Sequence, residues 1–375
     1  MLIEVGPTRR VENLALARGA IEVAADGRVV MPGFVDSHTH LLFPVPGAPA
    51  DGFEGAVRTL HATTASQLKV RATTSLQAMV RHGTTTVEIK TGSGADHSAE
   101  LKMLRVLGEL KEGPPDIVAT LLFRPPRGLC PKEMEESLRQ IRCEFLPRMS
   151  RRHLVRFADL VWDDSNVPLW EADYTAWFEG YFQVARNLGL GCKLHADAQD
   201  LAAAAHTAVA HHAVSIDHLE QATAADLVIL SQSNTVATLL PCASFYGDGR
   251  YAPARALIDL GVPVAIATNF NGHQTPLFSM QAAVALACQR MGLTPAEAVC
   301  AATINGAHAA GRAGRVGSLE CGKLADLLFL NAPDYRDLAD SLGANLVHMV
   351  MKSGEIVYEE GAVQRRPVED LRPVW

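Results

Sequence analysis

Four histidines carry the first chemical signal. His38 and His40 form an "HTH" at the end of one apolar run, His195 lies in "KLHAD" and His218 in "SIDHLE". Side chains at i and i+2 leave the same face of a strand, so the imidazoles of His38 and His40 converge. A lone histidine in apolar surroundings is ordinarily a hydrogen-bonded core residue. Four of them at the ends of strand-like runs point instead to one divalent metal ion, Zn or Fe, both of which suit imidazole ligands. His38, His40 and His195 are the expected ligands, and His218 is expected beside them, either supporting a ligand or polarising the substrate.

The segments that must position these residues alternate between short runs and longer helical patterns. "GFVDSHTH", "TTTVEIKTG", "DIVATLLF", "VRFADLVWDD", "LGCKLHAD", "AVSIDHLE", "TVATLLP" and "VPVAIATN" are strand candidates. Between them lie stretches such as "SAELKMLRVLGELKE", and "PARALIDLG", whose glycine suits a helix C-cap. Eight βα units within about 280 residues match a (β/α)8 TIM-like barrel in count and length. A doubly wound sheet is the competing arrangement, but no glycine-rich phosphate turn follows the first strand. Residues 31–311 are therefore assigned to the barrel. Residues 1–30 ("VENLALARG", "IEVAADGRVV") and 312–375 read as short strands, expected to form a small β-sandwich domain from both chain termini. In "TPAEAVCAATINGAHAAG", Thr294 is an expected N-cap with Pro295 in the first helical position.

In such a barrel catalytic side chains stand at the carboxyl ends of the strands. In "AIATNFNGH" that place belongs to Asn269, with His273 in the following loop within reach. Glu88 and Lys90 share one face of the second strand, inward by their charge, and either pair with each other or line the pocket. Asp163 and Asp164 end the fourth. His206, His211 and His212 fall on a helix outside the barrel and read as surface residues.

Composition removes several partner classes. The 375 residues are 48% hydrophobic and 20% charged, with a net charge of −7 and no basic cluster, which argues against nucleic acid and anionic membranes. The seven cysteines are scattered without a CxxC, as expected of reduced thiols rather than a disulfide framework. The first residues hold no apolar stretch of signal-peptide length, and no run reaches about 18 apolar residues. A cytoplasmic enzyme with a small-molecule substrate is the expectation.

At the level of whole motifs, "MPGFVDSHTHLLF", "HGTTTVEIKTGSGADHSAELKMLRV", "KLHADA", "VSIDHLE" and "GSLECGKLADLLFL" resemble the amidohydrolase superfamily and, within it, the imidazolonepropionases. The resemblance runs from about residue 31 to 355. It implies a mononuclear metal site with ligands at His38, His40, His195 and position 269, and His218 acting on substrate or water. The implied reaction is hydrolysis of the cyclic amide 4-imidazolone-5-propionate, and a homodimer is expected by the same analogy. In that chemistry a metal lowers the pKa of water, and a carboxylate on the last strand moves the proton to the leaving nitrogen.

Several positions depart from the family pattern. Asn269 stands where the family has Asp; an amide oxygen can ligate a metal but cannot accept the proton. Asp217, His218, Glu220 or Asp197 would have to replace it as base. A proline-rich stretch, "LLFPVPGAPADGFEGAVR", follows the first strand and leaves Arg58 as the nearby substrate-binding candidate. Ser93 replaces a tyrosine after the second strand, and "LFRPPRGL" replaces a histidine-containing loop after the third. Arg124 and Arg127 in that loop are placed to hold a carboxylate in fork geometry. Ala198 stands where a Glu or Gln is common. The expected enzyme is a metal-dependent, imidazolonepropionase-like hydrolase of a small cyclic amide with an imidazolone-like ring. The alternatives are a non-hydrolytic cyclase, dehydratase, isomerase or decarboxylase on the same scaffold, a hydrolase inactivated by an engineered Asp→Asn change, or a binding protein without catalysis.

Overall fold

A computed structural model describes residues 1–45, 52–92, 96–125, 131–162, 174–196 and 201–361. Its central sheet is parallel throughout. Its strands are β2 (Phe34–His40), β3 (Thr84–Lys90), β4 (Asp116–Phe123), β5 (Phe157–Trp162), β6 (Gly191–Ala196), β7 (Ser215–His218) and β8 (Val236–Leu239), followed by β9 (Val264–Ile266) and β10 (Phe270–Asn271). Every residue of β3, "TTTVEIK", is buried, as expected of a strand covered on both faces and rich in β-branched side chains.

The last two short strands are halves of one barrel strand. β9 pairs with β8 through Ala237 and Val264, whereas β10 pairs with β2 through Phe270 and Thr39. Between them Ala267 N–H donates to Leu239 O at 3.0 Å and Asn269 N–H to His38 O at 3.1 Å. The eighth strand thus begins against β8 and finishes against β2, which closes an eight-stranded barrel. The eight expected barrel strands all form, and the break falls at the residues that carry Asn269.

The outer helices follow their capping signals. Ala65–Arg81 starts on a reciprocal Thr64–Gln67 capping box and buries Leu68, Ala72, Leu76 and Met79 against the barrel. Pro295–Ala302 begins on the expected Thr294 cap, completed by Glu297. The segment does not continue as one helix, because Thr303 (φ −126°, ψ −90°) breaks it before Ile304–Ala309. A Cβ placed on Gly306 would lie 2.7 Å from the Val35 carbonyl oxygen, so glycine permits this second helix to approach β2.

Among the described residues the small β unit is a single antiparallel sheet rather than two stacked layers. β1 (Val29–Pro32), β11 (Leu327–Leu330), β12 (Val347–Lys352) and β13 (Glu355–Glu359) lie in that order, so both ends of the chain contribute. The strands expected before Val29 do not form. Thr8–Val11 is a helical turn, Ala15–Ala17 a 3-10 turn, and Ile21 is 92% exposed. Gly19 and Gly27 adopt left-handed φ values of 91° and 77°, turning the chain before it reaches a sheet partner. No helix among the described residues is long and apolar enough to cross a membrane.

Candidate metal centre

Four imidazoles meet at the carboxyl ends of the barrel strands. His38 and His40 come from β2, His195 from β6 and His218 from the last position of β7. The Nε2 atoms of His38 and His40 lie 3.2 Å apart, and those of His195 and His218 lie 2.9 Å apart. The ring centres of His38 and His195 are 5.0 Å apart, which joins the two pairs into one cluster. Nitrogens of His38, His195 and His218 all fall within 4.8 Å of one another.

Two members of the site reach it through unusual backbone. His218 has φ +83° and Leu219 φ +69°, so the chain turns sharply as β7 ends. By strand alternation His218 would face away from Asp217, and the left-handed turn brings it to the mouth. Asn269 has φ +54°, a conformation Asn tolerates better than most residues. Its predecessor is pinned by Asp36, whose carboxylate accepts from Thr268 N–H at 3.1 Å and Thr268 Oγ1 at 2.6 Å. Non-glycine residues held in this region cost of order 1–3 kcal/mol and concentrate at functional sites.

Beneath the histidines lies a buried ion network. Asp217 Oδ2 accepts from His38 Nδ1 at 2.7 Å and from Lys90 Nζ at 2.8 Å, and Asp217 Oδ1 accepts from Ser215 at 2.6 Å. Lys90 also donates to Asp159 at 2.5 Å. Glu88 pairs with Lys193 and accepts from Thr120 Oγ1 at 2.5 Å, and its distance to Lys90 is 3.5 Å. All five charged side chains are fully buried. Glu88 and Lys90 pair, one of the two arrangements expected of them, and Glu88 also pairs with Lys193. One expectation is corrected here. Asp217 is not placed to act as a base, because its oxygens are taken by His38, Lys90 and Ser215.

The electrostatics prepare the imidazoles as neutral ligands. Burial and the nearby Lys90 ammonium hold His38 well below its ordinary pKa; burial, Lys90 and Arg124 bring His40 down to about 3. Burial and the neighbouring imidazoles lower His195 likewise. Burial works to raise Asp217, but Lys90 and Lys193 overcome it and keep the carboxylate ionised. A neutral His38 that donates from Nδ1 to Asp217 presents the lone pair of Nε2 to the cluster. Asn269 Oδ1 is buried with no hydrogen-bond partner, which is costly unless another group satisfies it. Inward lone pairs and an orphaned amide oxygen form a donor set that fits a divalent ion.

Two cavities open from this centre. One, of about 340 Å3, is bounded by His40, Phe43, Phe53, Leu122, Arg124 and His273 among others. The Phe43 and Phe53 rings meet edge to face at 5.6 Å, and the Arg124 guanidinium lies 5.7 Å above Phe53. Phe53 is carried by the helix Gly52–Ala62, whose carboxyl end is held where Lys102 Nζ donates to the carbonyls of Leu60 at 2.5 Å and Thr63 at 3.0 Å. The second cavity, of about 500 Å3, is bounded by Glu220, Gln221, Tyr246, Asp248 and Arg250. His218, Asn269 and Gln274 border both.

The structure therefore brings Arg124 and His273 to the mouth beside the histidines. Arg58 does not reach it: its side chain is 68% exposed and lies 3.9 Å from Glu54 on the outer face of its helix. Ser93, Arg127, Asp163, Asp164, Asp197 and Ala198 lie outside the described residues. Sequence reasoning missed Lys193 and Asp159 in the network. Both were legible by alternation: Lys193 stands two residues before the inward His195, and Asp159 pairs laterally with Lys193 in the sheet register.

The barrel, its strand-end histidines and the orphaned amide define a class. The model of the amidohydrolase family matches residues 29–150 and 178–357, and the chain belongs to that family. Relatives along nearly the whole length include imidazolonepropionases. That of Porphyromonas gingivalis is 37% identical, covering 92% of this chain and 84% of its own, and that of Geobacillus kaustophilus is 35% identical, covering 96% and 89%. Among solved structures, 5-methylcytosine deaminase from Klebsiella pneumoniae superposes with a TM-score of 0.74 at 17% identity, covering 93% of both chains. A zinc-bound adenosine deaminase from Xanthomonas campestris gives 0.61 at 20%, covering 88% of this chain and 80% of that one. These two likenesses establish the fold. Family membership and the relatives place the chain among metal-dependent hydrolases of carbon–nitrogen bonds.

Proposed function

We propose that this barrel hydrolyses a C–N bond in a small cyclic amide, an imidazolone-like ring bearing a carboxylate, with one Zn or Fe ion. The observation that supports it most is the buried, unpartnered Oδ1 of Asn269, a residue that lines one cavity together with His40, His195 and His218. His38, His40, His195 and Asn269 would hold the ion, with His218 on the substrate side. When bound, such an ion supplies Lewis acidity, lowering the pKa of water toward neutrality and polarising an amide carbonyl. Asp217 keeps His38 in the tautomer whose Nε2 is free to ligate. Arg124 receives the carboxylate of the substrate, and Phe43 and Phe53 exclude water from one face of the ring.

Asn269 cannot take a proton from water, so another group must. His218 Nδ1 stands 3.3 Å from Glu220 Oε2, and Glu220 borders the second cavity. In this reading His218 accepts the proton at Nε2 and releases its Nδ1 proton to Glu220, and the pair then protonates the leaving ring nitrogen. General acid–base groups of this kind contribute roughly 10²- to 10⁴-fold. The test is ring opening of 4-imidazolone-5-propionate and related cyclic amides by metal-loaded protein. Turnover that falls at least about 100-fold in Glu220→Gln, with metal content retained, supports the reading. A metal-loaded protein that opens none of these rings, as wild type or as Asn269→Asp, overturns it in favour of non-hydrolytic chemistry.

A further inference from the structure

The site is a cleft with two arms, and we propose that its substrate has two arms as well. One substituent, the carboxylate, lies toward Arg124; the other, a cationic amine, lies toward Asp248 at the rim of the second arm. This deepens the cyclic-amide reading above and rests on it for the position of the reacting bond.

Three observations carry it. The two cavities share His218, Asn269 and Gln274 in their linings, so both border the reacting centre. Each alone, at about 340 and 500 Å3, falls in the roughly 300–1,000 Å3 range of small-molecule sites, and one ring with a single short acid would leave the second open. Asn269, whose buried Oδ1 is unpartnered, is among the residues that line both arms.

The two arms differ in chemistry. The first is apolar and aromatic around Arg124, whose guanidinium favours an anion. The second contains two carboxylates, Glu220 and Asp248. Its Arg250, the one Arg or Lys among the described lining residues, is turned onto the side-chain oxygen of Gln221. Asp248 Oδ1 accepts the Arg250 backbone N–H at 3.0 Å, which fixes the carboxylate at the rim. A polar wall with acceptors in excess selects a donor-bearing, positively charged group. The turn at His218 and Leu219 swings Glu220 into this wall.

Calorimetric binding of two non-hydrolysable cyclic ureas, tested on metal-loaded protein, separates the possibilities. Both carry the carboxylate arm, and one also carries an aminoalkyl arm on the opposite side of the ring. The expected result is at least tenfold tighter binding of the two-armed compound, with the advantage lost in Asp248→Asn and retained in Arg58→Gln. Equal Kd values for the two compounds, or an advantage unchanged in Asp248→Asn, would overturn the proposal. Binding is read without turnover. A preference for two arms in a protein that opens no ring would therefore sink the hydrolytic reading and leave the two-armed cleft standing.

Discussion

Asp217 Oδ2 joins His38 Nδ1 at 2.7 Å to Lys90 Nζ at 2.8 Å, so one buried carboxylate links the histidine cluster to the ion network below. Lys90 and Lys193 keep it ionised against the cost of burial. Asp217 therefore fixes the orientation of the His38 ring from behind. Asp217→Asn should retain the fold and weaken metal affinity roughly 10- to 100-fold, the usual cost of losing a carboxylate behind a ligating histidine. Competition with a chelator of known affinity measures it, and an unchanged affinity would remove Asp217 from that role.

Lys90 serves three carboxylates at once, with Asp159 and Asp217 its closest partners. Replacing it by Met would leave buried negative charge uncompensated. Breaking such a pair from one side costs about 3–5 kcal/mol. Lys90→Met should lower the denaturation midpoint by an amount consistent with that loss, whereas Arg58→Gln on the exposed helix face should leave it within error. Chemical denaturation of both variants decides this.

Asn269→Asp restores a carboxylate in a backbone conformation that short polar side chains accept, so the barrel should remain intact. The carboxylate adds a charge to the donor set and a second proton acceptor. Ring opening of 4-imidazolone-5-propionate should rise at least about tenfold, within the range of general acid–base catalysis. If the rate instead falls while metal content holds, the neutral amide is itself required, and the reaction does not use a base at that corner.

His40 and His218 both approach the cluster, and substitution separates their roles. His40→Asn should deplete bound metal, as expected of a ligand. His218→Asn should keep metal and lose turnover by roughly 10²-fold or more. Elemental analysis beside a rate assay reads both, and loss of metal in His218→Asn alone would exchange the two assignments.

Arg124 stands at the mouth where Arg58 does not. Arg124→Gln should raise KM for carboxylate-bearing amides by about tenfold or more, since a charge-assisted hydrogen bond contributes roughly 1.5–3 kcal/mol. It should leave KM for uncharged analogues within about twofold. An equal change for both substrates would show that Arg124 packs against Phe53 rather than reading charge.

Much of this architecture was legible in the chain because buried parallel strands leave a strong mark. The runs from "GFVDSHTH" to "VPVAIATN" appear as barrel strands, and the i, i+2 spacing of His38 and His40 places both rings on the inner face. Alternation also places Ser215 and Asp217 inward, but it does not reveal that their lone pairs are occupied by His38 and Lys90. That fact depends on the neighbouring strands, and it moves Asp217 from candidate base to orienting group. The left-handed turn at His218 and the break at Asn269 were equally hidden, because single-residue φ values follow closure of the barrel rather than local propensity. Arg58 misled for a related reason: its nearness in sequence to β2 says nothing about which face of the next helix it occupies. The strands expected before Val29 were read from composition alone and failed where two glycines turned the chain.

If the histidine cluster and Asn269 hold one divalent ion, elemental analysis of protein purified without added metal or chelator should find close to one Zn or Fe per chain, lost in His38→Asn. A metal content well below one per chain after growth in metal-replete medium would contradict it.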